Sequence, residues 1–373
     1  MKKILLAIDS YKGCLSSKEV ETCVEQALHA RFPDCKTRCF PIADGGEGLL
    51  DALTSVTDMQ IIQTEVHNPL MRIRNARYGI LKDKLTAIIE MSEASGLTLL
   101  NVSERNPMRT STFGTGELIL NALQRGCRNF LIGIGGSATN DAGMGMLEAL
   151  GVRFYDEANN LLHASGETMC QIAHVDISHM DCRLQESVFQ VACDVNNPFC
   201  GIQGAAHVFG PQKGATHEQI KYLDEGMHRF ATSIHHLFNK DIMNLPGAGA
   251  AGGLGGTLYA FLHAKLVPGI DLILNATGFD NELANTDWVI TGEGKSDAQT
   301  LMGKVPLGIL RHALREKVPV CLLSGKIEER DILQQAGFSQ LIEVSPADMP
   351  LAEAMDPDVA KRNLHRVMGS FIP

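Results

Sequence analysis

Acidic residues interspersed with glycine follow several predicted strands of this chain, and the segment 43–48 (ADGGEG) is the first of them. Its glycines allow tight backbone turns and expose N–H groups, while Asp44 and Glu47 supply carboxylates. Such a loop is expected at the carboxyl edge of a parallel sheet, where open α/β folds bind ligands. A turn whose acidic residues complement a helix dipole is the alternative interpretation. We predict that Asp44 takes part in catalysis.

The segment 246–256 (PGAGAAGGLGG) is the densest in glycine, with six glycines in ten positions, and it leads into an apolar helix. Backbone without side chains can approach a phosphate closely, and a helix N-terminus favours the negative charge. We therefore predict that Gly249, Gly252 and Gly253 contact phosphate, with tight helix packing as the structural alternative.

The segment 132–141 (IGIGGSATND) follows a predicted strand and opens a helix. Its glycines formally match the dinucleotide-binding fingerprint, with Asp156 near the position of a ribose-binding acid. That match keeps an NAD-dependent hydroxy-acid dehydrogenase open as a rival function, and a purely structural turn is also compatible. The same segment can also present backbone N–H groups to a phosphate, and Asn140 next to hydroxyl groups suits Mg²⁺ or a polyol substrate. The predicted phosphate-binding residues are Gly135, Gly136, Ser137 and Thr139.

Two further strand ends carry acidic and basic side chains together. In the segment 9–13 (DSYKG), Lys12 beside an aspartate can steady a transferring phosphate, with a solvated loop as the alternative. The segment 291–297 (TGEGKSD) combines acid, base and glycine, but it is not a Walker A loop because Val289 stands where that loop requires glycine. No other stretch supplies one, so the sequence excludes P-loop kinases.

A carboxylate is also expected at the end of the strand in the segment 191–198 (VACDVNNP). Asp194 in that position can orient a hydroxyl group or hold a metal ion. An Asx-turn is the structural alternative.

The overall composition is that of a soluble globular protein, with 45% apolar and 20% charged residues among 373. A net charge of −10 excludes a general attraction for nucleic acid or anionic membrane. The ten cysteines show no C-x-x-C pair or zinc-ligand spacing, which favours core thiols in a reducing compartment. The N-terminal apolar run stops at Asp9, too early for a signal peptide. We therefore expect a cytoplasmic protein, and homo-oligomer formation stays open.

Strands and helices alternate at both ends of the chain, whereas the middle contains predicted antiparallel strands. This pattern predicts an α/β fold with two domains. Residues 1–66 and 285–373 would form a doubly wound, Rossmann-like parallel-sheet domain, and residues 67–284 an inserted second α/β domain. A length of 373 residues fits two cores better than one.

Taken in order, these segments resemble the type I glycerate kinase family over nearly the whole chain. The blocks that carry the resemblance are IDSYKGCLSS, PIADGGEGLLDAL, IIEMSEASGL, RNPMRTSTFGTGELI, IGIGGSATNDAGMGMLEALG, VACDVNNPFCG, GAAHVFGPQKGA, LPGAGAAGGLGGTLYAFL and VITGEGKSDAQT. Lys295 departs from the more common arginine of the family and keeps the charge without the bidentate fork.

The resemblance implies ATP, Mg²⁺ and D-glycerate, two domains around a cleft, and a role in glyoxylate or sugar-acid breakdown. It also implies 2-phosphoglycerate as product, although the 3-hydroxyl stays open on physical grounds. We predict that Asp44, Asp194 and Asp297 share the roles of base and metal ligand. Glu293 is a further predicted metal ligand, and the predicted charge-neutralising residues are Lys12, Lys213 and Lys295. The predicted substrate contacts are Ser10, Arg72, Arg109 and Asn140.

Overall fold

A computed structural model describes residues 2–40, 42, 49–54 and 57–371 of the chain. The strands among them are β1 (Lys3–Ile8), β2 (Lys36–Cys39), β3 (Met59–His67), β4 (Ile73–Leu81), β5 (Thr86–Glu90), β6 (Asn129–Gly133), β7 (Arg153–Tyr155), β8 (Leu161–Leu162), β9 (His174–Asp176), β10 (Val188–Ala192), β11 (Lys265–Val267), β12 (Trp288–Gly292), β13 (Lys295–Ser296), β14 (Val320–Ser324), β15 (Lys326–Ile327) and β16 (Gln340–Glu343).

The α-helices among the described residues are α1 (Ser17–Arg31), α2 (Leu49–Thr54), α3 (Ser92–Ser95), α4 (Phe113–Gln124), α5 (Met144–Ala149), α6 (Ala205–Phe209), α7 (His217–Phe238), α8 (Leu254–Phe261), α9 (Gly269–Thr277), α10 (Phe279–Leu283), α11 (Val305–Arg315), α12 (Arg330–Ala336), α13 (Leu351–Ala354) and α14 (Pro357–Met368). Short 3-10 helices occupy Leu97–Leu99, Val102–Glu104, Met169–Gln171, Cys182–Glu186, Pro211–Lys213, Ala250–Gly253 and Ala298–Met302.

The chain divides into two compact units. The terminal unit comprises Met1–Asp44, Asp51–Thr57 and Ile270–Pro373, and the central unit comprises Gly45–Leu50 and Asp58–Gly269. The predicted boundaries near 66 and 285 differ from these bounds. The boundary predicted near residue 66 differs because β3 pairs with β4 along its whole length, from Met59 opposite Leu81 to His67 opposite Ile73. That strand therefore belongs to the central sheet.

The terminal unit is built on a five-stranded parallel sheet in the order β16-β14-β12-β1-β2. The strand order reverses at β1, because β2 lies on one side of it and β12 on the other. Strands β1 and β14 are almost wholly apolar and buried, as strands covered on both faces must be. Helix α1 begins with a capping box in which Ser16 and Glu19 exchange hydrogen bonds.

The central unit is built on a six-stranded sheet in the order β11-β10-β6-β5-β4-β3. Strands β11, β10, β6 and β5 are parallel, and β4 and β3 continue the sheet in antiparallel fashion. The sequence predicted antiparallel strands in this region, and β5 also pairs in parallel with β6. The rings of Phe130 and Phe189 stack at 4.7 Å in the core of this unit. The predicted α/β class with parallel-sheet domains is confirmed.

Candidate active site

In the terminal unit, the carboxyl ends of β1 and β12 lie side by side where the strand order reverses. The N–H of Asp9 donates to the carbonyl of Gly292 at 2.9 Å. Ser10 follows Asp9, and its N–H donates to the Asp9 carboxylate at 2.7 Å. The predicted substrate contact Ser10 and the predicted metal ligand Glu293 therefore share the edge at which doubly wound sheets bind ligands.

Glu293 is a buried carboxylate surrounded by hydrogen-bond donors. The hydroxyl groups of Thr300 and Ser296 donate to its Oε1 at 2.6 and 3.1 Å. The ammonium of Lys304 donates to its Oε2 at 3.1 Å. Because both oxygens already accept from protein groups, the contacts favour Glu293 as a residue that positions the loop 293–300. They do not favour the predicted role of metal ligand.

Lys295 and Asp297 lie on the same loop and form part of a charged network. Nζ of Lys295 lies 3.0 Å from Oε2 of Glu328 and 3.7 Å from Oδ2 of Asp297. The Glu328 carboxylate raises the pKa of Lys295. Oδ1 of Asp297 accepts the N–H of Gln299 at 2.9 Å. Lys295 is exposed, Asp297 is half-buried, and Lys12 is exposed on the loop after β1, so a ligand can reach this edge of the unit.

In the central unit, the parallel strands β5, β6, β10 and β11 end at one common edge. Asp194 follows β10, and its Oδ1 accepts the N–H of Gly269, just beyond β11, at 2.9 Å. The Asp194 side chain is exposed. The sequence placed Asp194 correctly at a strand end, and the backbone contact holds its carboxylate at the edge.

The two glycine-rich segments of the central unit pack directly against each other. The N–H of Ala142 donates to the carbonyl of Gly252 at 3.0 Å. Gly252 has a φ of +67°, and a Cβ placed on it would lie 2.1 Å from the carbonyl oxygen of Thr139. Only glycine permits that approach. The structure therefore brings the predicted phosphate-binding residues Thr139, Gly252 and Gly253 together, since a Cβ on Gly253 would lie 2.9 Å from Cα of Ala142. The predicted contacts of Gly135, Gly136, Ser137 and Gly249 with phosphate stay predictions.

Lys213 lies beneath this region and is fully buried. Its ammonium donates to Oγ of Ser137 and to the carbonyl of Thr139, both at 2.7 Å. Burial lowers the pKa of Lys213 from 10.5 to about 7, and the charge of Asp141 opposes that shift. These two hydrogen bonds fix the turn that follows β6. The predicted contact of Lys213 with phosphate stays a prediction.

The depressed pKa of Lys213 gives an expected dependence of stability on pH. Below about pH 7 the folded and unfolded chains both hold the proton, and the folded chain bears the cost of a buried cation. Between about pH 7 and 10.5 Lys213 is protonated in the unfolded chain and not in the folded chain, so the contribution of this lysine to stability rises with pH.

We expect this lysine to contribute a slope of up to about 1.4 kcal/mol per pH unit in that window, absent in Lys213→Met. Urea unfolding from pH 6 to pH 10 measures the difference between the two proteins. Lys221→Met, at an exposed lysine of the same unit, should keep the wild-type slope. Parallel curves for the wild type and Lys213→Met would contradict the assignment.

Asp141 is a buried carboxylate whose role the sequence did not reveal. Its oxygens accept the N–H and hydroxyl groups of Thr112 at 2.7 and 2.8 Å and the N–H groups of Gly143 and Gly145, each at 3.1 Å. Burial raises the pKa of Asp141, while the four donors favour its charged form. Asp141 thus joins the start of α5 to the residue that precedes α4.

Glu90, at the end of β5, is a second buried carboxylate that the sequence did not single out. Its Oε2 accepts the N–H of Leu50 at 3.3 Å. The side chain of Leu49 packs near Gly133, 3.2 Å from where a Cβ on that glycine would lie. Glu90 therefore anchors the beginning of α2 to the carboxyl edge of the central sheet.

The predicted substrate contacts of the central unit differ in their surroundings. Arg72 is exposed and donates to Glu104 at 2.8 Å. Arg109 is exposed on the loop before α4. Asn140 is fully buried; its Nδ2 lies 3.4 Å from Sδ of Met227, and its Oδ1 has no hydrogen-bond partner among the described residues. An unsatisfied acceptor at this edge is compatible with a ligand contact.

Asp44 and Asp156 are two further residues that the sequence singled out. Asp44 lies outside the described residues. Asp156, the candidate ribose-binding acid of the rival dehydrogenase, lies in the turn between β7 and β8. There its carboxylate accepts the N–H groups of Ala158 and Asn160 and the amide of Asn160. Asp156 therefore serves a surface turn, and no parallel strand leads to it.

Magnesium is implied by the family resemblance, and the chemistry of two acidic side chains fits it. The residues described include no group of three or more histidine, cysteine or acidic side chains that could hold a metal. Mg²⁺ is often held by one or two carboxylates, with water and substrate phosphates at its other positions. Asp194 and Asp297 offer oxygen ligands of that kind, each at the carboxyl edge of its own sheet.

Parallel-sheet units that present glycine-rich turns, lysines and carboxylates at their carboxyl edges fit an α/β enzyme that acts on an anionic ligand. The sequence profile of the Glycerate kinase family matches residues 4–372, and the chain belongs to this family.

Relatives with assigned names agree with that membership. The glycerate 2-kinase of Escherichia coli K12 is 41% identical over 94% of this chain and 93% of its own length. The glycerate kinase of Bacillus subtilis 168 is 42% identical over 95% of this chain and 93% of its own length.

A solved structure shows the same fold. The chain superposes with a TM-score of 0.85 on a crystal structure described as that of glycerate kinase 2 from Salmonella typhimurium LT2. The two are 41% identical, and the match covers 99% of this chain and 97% of the other.

In the part of the chain that the structure describes, no helix is both long and apolar enough to cross a membrane.

Proposed function

We propose that the protein transfers the γ-phosphate of ATP to D-glycerate, giving 2-phosphoglycerate and ADP, with Mg²⁺ as the metal ion. The observation that carries this proposal is the packing of two glycine-rich segments against each other at the carboxyl edge of the central sheet, where Lys213 holds one of them through Ser137 and Thr139. Backbone of that kind can surround phosphate closely. The name of the Escherichia coli relative supports the 2-hydroxyl as acceptor. We also propose a role in glyoxylate or sugar-acid breakdown. A cytoplasmic location is supported by the ten free cysteines, which are typical of a reducing compartment.

In the proposed reaction, a hydroxyl oxygen of glycerate forms a bond to the γ-phosphorus, and the bond from that phosphorus to the β,γ-bridging oxygen breaks. The hydroxyl proton passes to an aspartate carboxylate, and ADP leaves with the bonding electron pair. Asp44, Asp194 and Asp297 are the candidates for the base and for holding Mg²⁺. When bound, Mg²⁺ would neutralise phosphate charge.

Positioning in this scheme comes from groups already held in place. Lys213 fixes the turn with Ser137 and Thr139, and Glu293 fixes the loop that carries Lys295 and Asp297. Preorganised donors of this kind lower the cost of orienting a reacting phosphate. Lys12 and Lys295, both exposed, are the proposed charge-neutralising residues.

A coupled assay of ADP release tests the proposal. We expect ADP release that requires D-glycerate, ATP and Mg²⁺ together, and a product whose ³¹P NMR spectrum shows phosphate on the 2-oxygen. Phosphate on the 3-oxygen would change the regiochemistry and leave the kinase in place. Purified protein that releases no ADP in response to glycerate would overturn the proposal.

A further inference from the structure

Arg105, which precedes α4 on the same loop as Arg109, holds a buried donor without an acceptor. Its Nε is shielded from solvent and has no hydrogen-bond partner among the described residues. Other half-buried arginines of the central unit are paired: Arg77 donates to Glu93 at 2.7 Å, and Arg128 donates to the carbonyl of Cys127 at 2.8 Å. A buried donor left unpaired destabilises the folded chain, so a native protein that keeps one invites an explanation.

The loop that carries Arg105 packs against the phosphate-binding region predicted above. The carbonyl oxygen of Arg105 lies 2.3 Å from where a Cβ on Gly214 would sit, directly after Lys213. Further along the loop, the hydroxyl of Thr110 donates to the carbonyl of Ala138 at 3.0 Å. The loop is therefore in contact with Gly214 at Arg105 and with the turn that follows β6 at Thr110.

Two more unsatisfied polar atoms lie in that turn. Oγ1 of Thr139 and Oδ1 of Asn140 are buried and have no hydrogen-bond partner among the described residues. Gly166 lies next to both the loop and this part of the turn, since a Cβ on it would lie 2.3 Å from the carbonyl oxygen of Pro107 and 3.2 Å from that of Asn140. Three buried polar atoms without partners, on two segments joined by the bond from Thr110 to Ala138, leave hydrogen-bonding capacity that a polar ligand would satisfy.

We propose that Arg105 binds an oxyanion of a ligand through its Nε–H and a neighbouring Nη–H. The planar guanidinium fork matches a carboxylate or a phosphate with two parallel hydrogen bonds. The buried Nε–H selects Arg105 over Arg109, because an exposed guanidinium is satisfied by water. This inference rests on the proposed function, in which the anion is the glycerate carboxylate or a phosphate of ATP.

Steady-state kinetics of Arg105→Met, with Arg128→Met as the matched control, test the inference. We expect Arg105→Met to raise at least one KM tenfold or more, with a smaller rise for Arg105→Lys, which keeps the charge without the fork. A rise confined to D-glycerate assigns the carboxylate, and a rise confined to ATP assigns a phosphate. Arg128 lies at the opposite edge of the central sheet, so Arg128→Met should keep both KM values within twofold of wild type.

Thermal unfolding without ligand separates binding from a structural role. Arg105→Met removes an unpaired buried donor and should unfold at or above the wild-type temperature, whereas Arg128→Met breaks satisfied hydrogen bonds and should unfold at a lower one. KM values within twofold of wild type, or a loss of stability equal to that of Arg128→Met, would overturn the inference. A wild type that releases no ADP in the same assay would instead defeat the proposed function.

Discussion

Replacing Asp141 by alanine is expected to lower the free energy of unfolding by about 3–5 kcal/mol. The alanine leaves buried N–H and hydroxyl donors of Thr112, Gly143 and Gly145 without an acceptor. Asp141→Asn should cost less, about 1–3 kcal/mol, because its amide oxygen can still accept from Thr112 while its NH₂ group faces a donor. Urea unfolding at pH 7 measures both losses. A loss of this size is a large share of the stability of an ordinary domain.

Asp156 provides the matched control for this prediction. Its carboxylate accepts three hydrogen bonds, from the N–H of Ala158 at 2.9 Å, the N–H of Asn160 at 2.8 Å and the Asn160 amide at 3.0 Å. Asp156 is half-buried and its hydrogen bonds are exposed to solvent, so water can replace the lost acceptor, and Asp156→Ala should cost clearly less stability than Asp141→Ala. Burial would then account for the difference between the two aspartates. Equal losses in Asp141→Ala and Asp156→Ala would contradict that explanation.

The architecture followed closely from patterns in the sequence. Apolar runs such as β1 and β14 identify buried parallel strands, and Ser16 followed by Glu19 marks the start of α1. The boundary between the units was harder to predict, because it depends on which strands share a sheet. The pairing of β3 with β4 places β3 in the central unit. Hydrophobic periodicity identifies a strand without naming its partners.

The candidate site was only partly accessible from the sequence. Glycine spacing pointed to the two segments that pack against each other and are predicted to bind phosphate, since only glycine tolerates the close approach at Gly252. The spacing of residues along the sequence did not predict which groups surround each side chain. Lys213 is buried and supports a turn, Glu293 is surrounded by protein donors, and Arg105 holds an unpaired N–H. The contacts of Lys213 join positions 76 and 74 residues apart, whereas the donors to Glu293 lie within 11 residues of it but depend on how the loop 293–304 folds.

At least one of the variants Asp44→Asn, Asp194→Asn and Asp297→Asn is expected to lower kcat by about 10²–10⁴-fold. An amide cannot take the proton from the substrate hydroxyl, and it is a weaker ligand than a carboxylate for Mg²⁺. Titration with Mg²⁺ in the ADP-release assay separates these two roles. Loss of the base lowers kcat at every Mg²⁺ concentration, whereas loss of a metal ligand raises the concentration needed and allows partial recovery at high Mg²⁺.

Asp241→Asn is the control for these variants. The Asp241 carboxylate also accepts a backbone N–H, as Asp194 and Asp297 do, but it has no proposed role as base or metal ligand. Oδ1 of Asp241 accepts the N–H of Met243 at 2.9 Å, the distance at which Asp194 accepts Gly269 and Asp297 accepts Gln299. A loss of activity caused only by disturbing such a turn would appear in Asp241→Asn as well. If that control keeps the wild-type kcat and one of the three variants loses it, the carboxylate itself is required. If all three keep a near wild-type kcat at every Mg²⁺ concentration, the assignment of base and metal ligand to these aspartates is wrong.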